Sequence, residues 1–559
     1  MSEVLAAFEN RFTEFADGFA NGEYVLWLGS GISRERMPPV DALVEDVVEL
    51  LRNNADRSNP SCRFNLALER VLDLTSLSNE ARAAINYDAP VNEWTGRGDV
   101  VRSLVGKYSE VLNVRVPGEP RDFLTWTGLN VPGTYGNPDI APDVEHYCIG
   151  VLMLEGVVDG AATSNWDGLI EKAVKDLTPD ADRLLRVVVK SDDFRGAATR
   201  SVLIKFHGCA IRAVENEGQY RDLLIAREQQ ISAWSEDPAN RYMRNQLESL
   251  LSGRNTLVVG LSVQDANMHS MFAASARDLA RHWPSKPPAL VLSERGLHSR
   301  HQLALELIYG DDYDSHEEDI VRGAVLGSYG KETLLGLLMW TLTEKLVALV
   351  DSIGAAALSN TDRSRLKTDL RAARTTVGSL AADPTQFLEL VLANVKATMS
   401  MFRHGSPADG PRGYEPVTAV PASEALADPD FPAAQFGRFA AALSLLSRGH
   451  HASEWEVEPD PASGAVVVRS AADAKRVFVV RDSRQALALE KAEDFDPDDD
   501  VNVVIYADRQ VARLARSPRG SYGRVGRVGA IRFSIESICD DAGSADDLYE
   551  EFKMAGAFG

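Results

Sequence analysis

Four compact runs, Tyr24 to Leu28, Gly160 to Ala162, Val202 to Phe206 and Leu257 to Leu261, each end in glycine or in a short polar cluster. Residues at helical spacing lie between them, such as Val40 to Leu51 after the first run and His146 to Val158 before the second. A fifth largely apolar run covers Leu185 to Val189. Strands that alternate with helices in this way argue for a parallel sheet wound on both sides. Ligands of such sheets bind outside the carboxyl ends of the strands. The residues just past these runs are therefore the first candidates for chemistry.

The chain has 559 residues, 45% of them hydrophobic and 25% charged, which is enough for a large core and about two to four domains. A formal net charge of -23 argues against a broad nucleic-acid footprint, because phosphate binding needs a basic surface. The one local exception is Arg509 to Arg527, with six arginines and no acids, where contact with nucleic acid or an acidic partner is conceivable; an exposed loop that balances the acidic run Glu493 to Asp500 is the plainer reading. Cys62, Cys148, Cys209 and Cys539 are too scattered for a disulfide framework or a CxxC pair, which points to a reducing, cytoplasmic setting and to no metal. Met1 to Phe12 reads as an amphipathic helix rather than a secretory signal. Leu334 to Val350 reads as too short and too polar to span a bilayer, so no membrane association is expected.

Residues 1–350 form the first expected domain, with the polar stretch 52–142 as a mostly helical insertion. A helical connector follows at 351–404, broken at Asp383-Pro384. Residues 405–435 are proline-rich and read as a linker. Residues 436–559 read as a small α+β domain with a helix over Phe436 to Leu446 and strands at Ala465 to Arg469, Arg476 to Val480, Val501 to Tyr506 and Ala530 to Ile535.

Gly29 and Gly31, flanked by Ser30 and Ser33, follow the first strand. Without side chains there, main-chain N–H groups and a helix terminus can approach a pyrophosphate, and the serine hydroxyls add donors. A simple tight turn has the same composition. Asn165 and Asp167 stand past the second strand, where an Asx turn or a helix cap is the alternative to a ligand role. His207 follows the third run directly, and a histidine packed against the sheet fits that position as well as a base does. Gly260 and Ser262 close the fourth run, with Asp265 three residues on, and a capped helix accounts for Asp265 alone.

Taken together and in this order, the four motifs resemble the sirtuin family, in particular its bacterial anti-phage defence branch, over roughly residues 15–350. Thr163-Ser164-Asn165-Trp166-Asp167-Gly168-Leu169-Ile170-Glu171 resembles the family's Thr-Thr-Asn-aromatic-Asp-x-Leu-Leu-Glu signature, with Ser164 for the second threonine. Gly260-Leu261-Ser262 resembles its Gly-Thr-Ser, and Asp265-Ala266-Asn267 the Asp-x-Asn of the defence branch. The resemblance implies a Rossmann-type α/β sheet with NAD as substrate. Asn165 would orient the attacking water and Asp167 would hold the nicotinamide amide. His207, with a near-neutral pKa, would serve as general base.

The departures shape the functional expectation. Sirtuin deacylases carry a structural zinc on two cysteine pairs and a Gly-Ile-Pro-Asp-Phe-Arg segment; this chain has neither, and shows Met37-Pro38-Pro39-Val40-Asp41-Ala42-Leu43 where the defence branch has Pro-x-Trp-x-x-Leu. Hydrolysis of NAD to nicotinamide and ADP-ribose is the simpler outcome, serving abortive defence and gated by self-assembly or by a partner such as a HerA-type ATPase or a short Argonaute. A non-catalytic NAD- or ADP-ribose-binding scaffold and an ADP-ribosyltransferase are the alternatives. Gly330-Lys331-Glu332-Thr333 has no glycine five residues earlier and carries Glu332 at the Ser/Thr position of a Walker loop, and Pro459-Asp460 with Asp473-Ala474-Lys475 shows in the sequence only a poor strand context for a metal nuclease.

Overall fold

Six parallel strands form the larger sheet: β1 Tyr24–Leu28, β2 Gly160–Thr163, β3 Leu185–Val188, β4 Ser201–Lys205, β5 Asn255–Val259 and β6 Leu290–Ser293, in the spatial order β3-β4-β2-β1-β5-β6. The computed structural model describes residues 1–263, 266–279, 281–408, 412–492, 501–508 and 530–558. Every residue of β1 is buried, as a parallel strand covered on both faces requires. Its side chains alternate between two cores. Tyr24, Leu26 and Leu28 pack with Val151 and Leu335, whereas Val25 and Trp27 pack with Leu247 and Phe272. Helices Val144–Leu154 and Gly330–Leu349 thus cover one face, and Arg241–Gly253 and Ala266–Asp278 the other.

Gly330–Ser352 is longer than the sequence pattern suggested, and by length and composition alone it would cross a bilayer. Burial decides otherwise, since 83% of its apolar window lies inside the fold. Leu334, Leu335, Leu337 and Leu338 are all fully enclosed, each contributing about 1.5–3 kcal/mol of burial. The insertion after Asn54 is helical, as expected, and builds a third core from Leu68, Val71, Leu104 and Leu112 against Val44 and Val47.

A second, mixed sheet lies toward the carboxyl end, in the order β11-β10-β9-β8-β7. Its strands are β7 Glu456–Asp460, β8 Ala465–Arg469, β9 Ala474–Val480, β10 Asn502–Tyr506 and β11 Ile531–Ser534. The hairpins β7/β8 and β8/β9 are antiparallel, while β9/β10 and β10/β11 are parallel. Two strands escaped the sequence pattern. β6 is a short run soon after the prolines at 284, 287 and 288, and β7 is a polar edge strand that tolerates Pro459 because its outer side pairs with no strand among the described residues. Arg509 to Arg527 and Glu493 to Asp500 lie outside the described residues.

Residues 405–435, read as a linker from their prolines, hold buried side chains. The Tyr414 hydroxyl and the Val417 N–H both donate to Glu155 Oε1, at 2.7 and 3.1 Å. Lys345 Nζ donates to Glu155 Oε2 and to the Thr418 carbonyl, each at 2.7 Å. With Lys345 and Glu155 both buried, these bonds fasten the segment to helices Val144–Leu154 and Gly330–Leu349.

Candidate functional site

The four motifs leave the sheet side by side. Leu28 pairs in register with Thr163 on one side and Val259 on the other, and Thr163 pairs with Lys205, so β4, β2, β1 and β5 end at one level. Beyond that level stand His207, Asn165 to Asp167, Gly29 to Ser33, and Gly260 to Ser262.

The glycines are needed because two chain segments cross there. A Cβ on Gly29 would lie 2.5 Å from the Gly260 carbonyl oxygen, and one on Gly31 would lie 2.5 Å from Gly260 Cα. Gly260 itself has φ +62°. The Gly29 N–H donates to the Val259 carbonyl at 3.0 Å, and the Gly31 N–H to the Gly260 carbonyl at 2.9 Å. This differs from the expected phosphate cradle, for both amides are already bonded to the β5 exit. The next long helix starts only at Val40, after a single tight turn over Ser30–Ser33. Ser30 and Ser262 remain exposed at the rim of adjacent strands, while Ser33 is buried.

Ser33 is the hub of a buried polar network. The Asp143 N–H donates to His146 Nδ1 at 3.0 Å, which leaves the imidazole proton on Nε2, 3.1 Å from Ser33 Oγ. Burial pushes the His146 pKa down and keeps the ring neutral, against the raising influence of Asp167. The Ser33 hydroxyl in turn donates to Asp167 Oδ2 at 3.0 Å. Asn165 Nδ2 donates to the Gly29 carbonyl at 3.1 Å and reaches Ser33 Oγ at 3.4 Å. That orientation leaves Asn165 Oδ1 buried with no hydrogen-bond partner among the described residues. A buried acceptor without a donor is costly, about 1–3 kcal/mol, unless a ligand or water supplies one.

Asp167 also steadies the entry to the following helix, its Oδ1 accepting from the Leu169 N–H two residues on at 3.2 Å. Beneath it lies Lys205, which sequence reasoning passed over because it ends an apolar strand. Lys205 Nζ donates to Glu171 Oε1 at 2.9 Å and to the Asp167 carbonyl. Burial disfavours its charge, but Cys209, Glu171 and Asp167 outweigh that and hold its pKa above the ordinary value.

His207 is joined to Asn267 rather than to the Ser33 network. Asn267 Oδ1 accepts from the Met268 N–H at 2.9 Å, which turns its Nδ2 toward His207 Nε2 at 3.0 Å. His207 Nε2 is therefore the acceptor. Burial pushes its pKa down to about 3, in contrast to the near-neutral value expected of a general base. Asp265 lies outside the described residues. His146 also went unnoticed in the sequence, since its helix reads as core; the one local signal was Asp143 three residues before it, a helix cap whose partner is the histidine.

Among the described residues no three His, Cys, Asp or Glu side chains converge on a common point, and the cysteines are free. Residues 159–309 match the family model of the SIR2-like domain. The match takes in Asn165, Asp167, His207, Gly260 and Ser262, and leaves out the Gly29 turn and His146. SIR2-like domains bind NAD, which is consistent with NAD-related activity here. No curated protein matches the chain.

Proposed function

We propose that this chain is an NAD hydrolase that releases nicotinamide and ADP-ribose. The observation that carries the reading is Asn165 Oδ1, buried and without a hydrogen-bond partner among the described residues while its amide nitrogen is pinned to Gly29. An acceptor held in that way suits one donor, the water that attacks the ribose anomeric carbon. The diphosphate would lie at the exposed rim formed by Ser30 and Ser262, and Asp167 would face the nicotinamide amide.

In the reaction the bond between the anomeric carbon and nicotinamide breaks, and its electron pair neutralises the positively charged ring. Water adds to the sugar cation and its spare proton leaves to solvent. The protein orients the water and stabilises positive charge on the sugar, which is catalysis by position and electrostatics. His207, neutral well below pH 7, fits a hydrogen-bonding role toward a ribose hydroxyl once Asn267 yields Nε2 to the substrate.

The near-complete burial of Asn165, Asp167 and His207 supports gating, because substrate must displace the cover before it reaches them. We assign that gating to self-assembly or to a defence partner such as a HerA-type ATPase or a short Argonaute, within an abortive anti-phage response in the cytoplasm. Copurification from the native host tests the partner. The chemistry is tested with NAD labelled in the adenine: free labelled ADP-ribose supports hydrolysis, label retained on macromolecule indicates ADP-ribosyl transfer, and intact NAD that stays bound indicates a scaffold.

A further inference from the structure

Segment 221–227 lies directly against the strand end that carries His207. The Ile225 N–H donates to the His207 carbonyl at 3.0 Å, and Gly208, at φ +99°, has the Leu223 carbonyl oxygen 2.5 Å from where a Cβ would stand. The same segment borders an open cavity of about 270 Å³ whose wall includes Arg121, Arg227, Asp222, Gln230 and Trp234.

Neither arginine has an ion-pair partner among the described residues. Arg121 donates to the Gln229 side-chain oxygen, and Arg227 Nε donates to Gln230 Oε1 at 3.1 Å. The neighbouring Asp122 is taken by Arg221, at 2.7 Å. Burial and the facing charge of Arg121 hold the Arg227 guanidinium below its ordinary pKa, despite Asp122 and Asp222 nearby. Two adjacent cations with no ion pair of their own among the described residues, one of them held below its ordinary pKa, form a place where an anion relieves an existing cost.

The acids on the wall narrow the ligand class. Asp237 Oδ1 accepts the Ala239 N–H at 2.9 Å, whereas the exposed Asp222 carboxylate, near enough to Arg227 to act on its charge, makes no hydrogen bond or ion pair among the described residues. A bare phosphate would be repelled by Asp222, but a ligand that also brings hydroxyl donors would satisfy it. The volume lies just below the range usual for pockets that hold a drug-sized ligand, about 300–1,000 Å³, and suits a smaller one. We propose that this cavity binds a phosphorylated sugar of pentose size, with the guanidinium forks of Arg121 and Arg227 on the phosphate and Asp222 on the sugar hydroxyls. The site is separate from the Ser33 network, and the inference does not depend on NAD being the substrate there.

The test is calorimetric titration of the full chain with ribose 5-phosphate, inorganic phosphate and ribose. Ribose 5-phosphate is expected to bind more tightly than either fragment. Arg121→Gln and Arg227→Gln should each weaken it by about tenfold or more, the scale of a lost charge-assisted hydrogen bond. Arg121 is exposed, so its replacement leaves the fold intact and keeps the test decisive. Asp222→Asn should weaken ribose 5-phosphate while leaving inorganic phosphate no weaker. Absence of binding to the wild-type chain, equal binding of ribose, or indifference to both arginine variants overturns the proposal.

Discussion

Asn165 reaches across 136 residues of chain to donate its amide to the carbonyl of Gly29, and that bond leaves its own buried oxygen with no hydrogen-bond partner among the described residues. The glycine turn thus serves the site less as a cradle of free amides than as the anchor that aims Asn165. Its own amides are spent on the β5 exit.

Replacing Ser33 should be far more harmful than replacing Ser30. Ser33→Ala strands the His146 Nε2–H and Asp167 Oδ2 inside the fold, with an expected loss of about 1–3 kcal/mol. Ser30 is exposed, and Ser30→Ala should stay within about 0.5 kcal/mol of wild type. Urea unfolding of the two variants checks the contrast.

The crossing of the glycine turn over β5 predicts that Gly31→Ala is destabilising by about 1–3 kcal/mol or more, because the methyl group meets backbone that cannot swing away. Gly98, inside helix Arg97–Val105 with open space around it, is the control: Gly98→Ala should be neutral or stabilising by up to about 1 kcal/mol. Thermal melts of both variants read the difference.

Burial lowers the His207 pKa from 6.5 to about 3 in the folded chain. The unfolded chain therefore takes up a proton first as pH falls, so the stability held by neutral His207 is present above pH 6.5 and lost between 6.5 and about 3. The slope is at most about 1.4 kcal/mol per pH unit. His207→Gln should flatten unfolding free energy against pH in this window, with His146 supplying a remaining slope of the same sign.

Glu145 works in the opposite sense. Burial raises its pKa from 4.5 to about 7, and its Oε2 has no hydrogen-bond partner among the described residues, so the folded chain binds the proton more tightly than the unfolded one. Its contribution is full below pH 4.5 and is lost as pH rises to about 7. Glu145→Gln should therefore gain on wild type progressively from pH 4.5 to 7, measured by the same unfolding series.

Much of the central sheet was legible because β1, β4 and β5 are apolar runs closed by glycine or a polar cluster, and strands buried on both faces leave that trace in composition. The position of Asn165 and Asp167 just past β2 was legible for the same reason: they sit where a strand must stop. What stayed hidden depends on distant partners. Nothing near Lys345 in the chain shows that it meets Glu155, or that Tyr414 completes the set from a proline-rich stretch. His207 was visible as a residue, but its depressed pKa was not, because that follows from the packing around it and from no neighbour in sequence.

The most direct test of the central claim is nicotinamide release from NAD by the full chain and by Asn165→Ala, with NAD binding measured on both. The account predicts release by the wild type, a fall of about 100-fold or more in the variant, and NAD binding that persists. Equal release by the two proteins would contradict it.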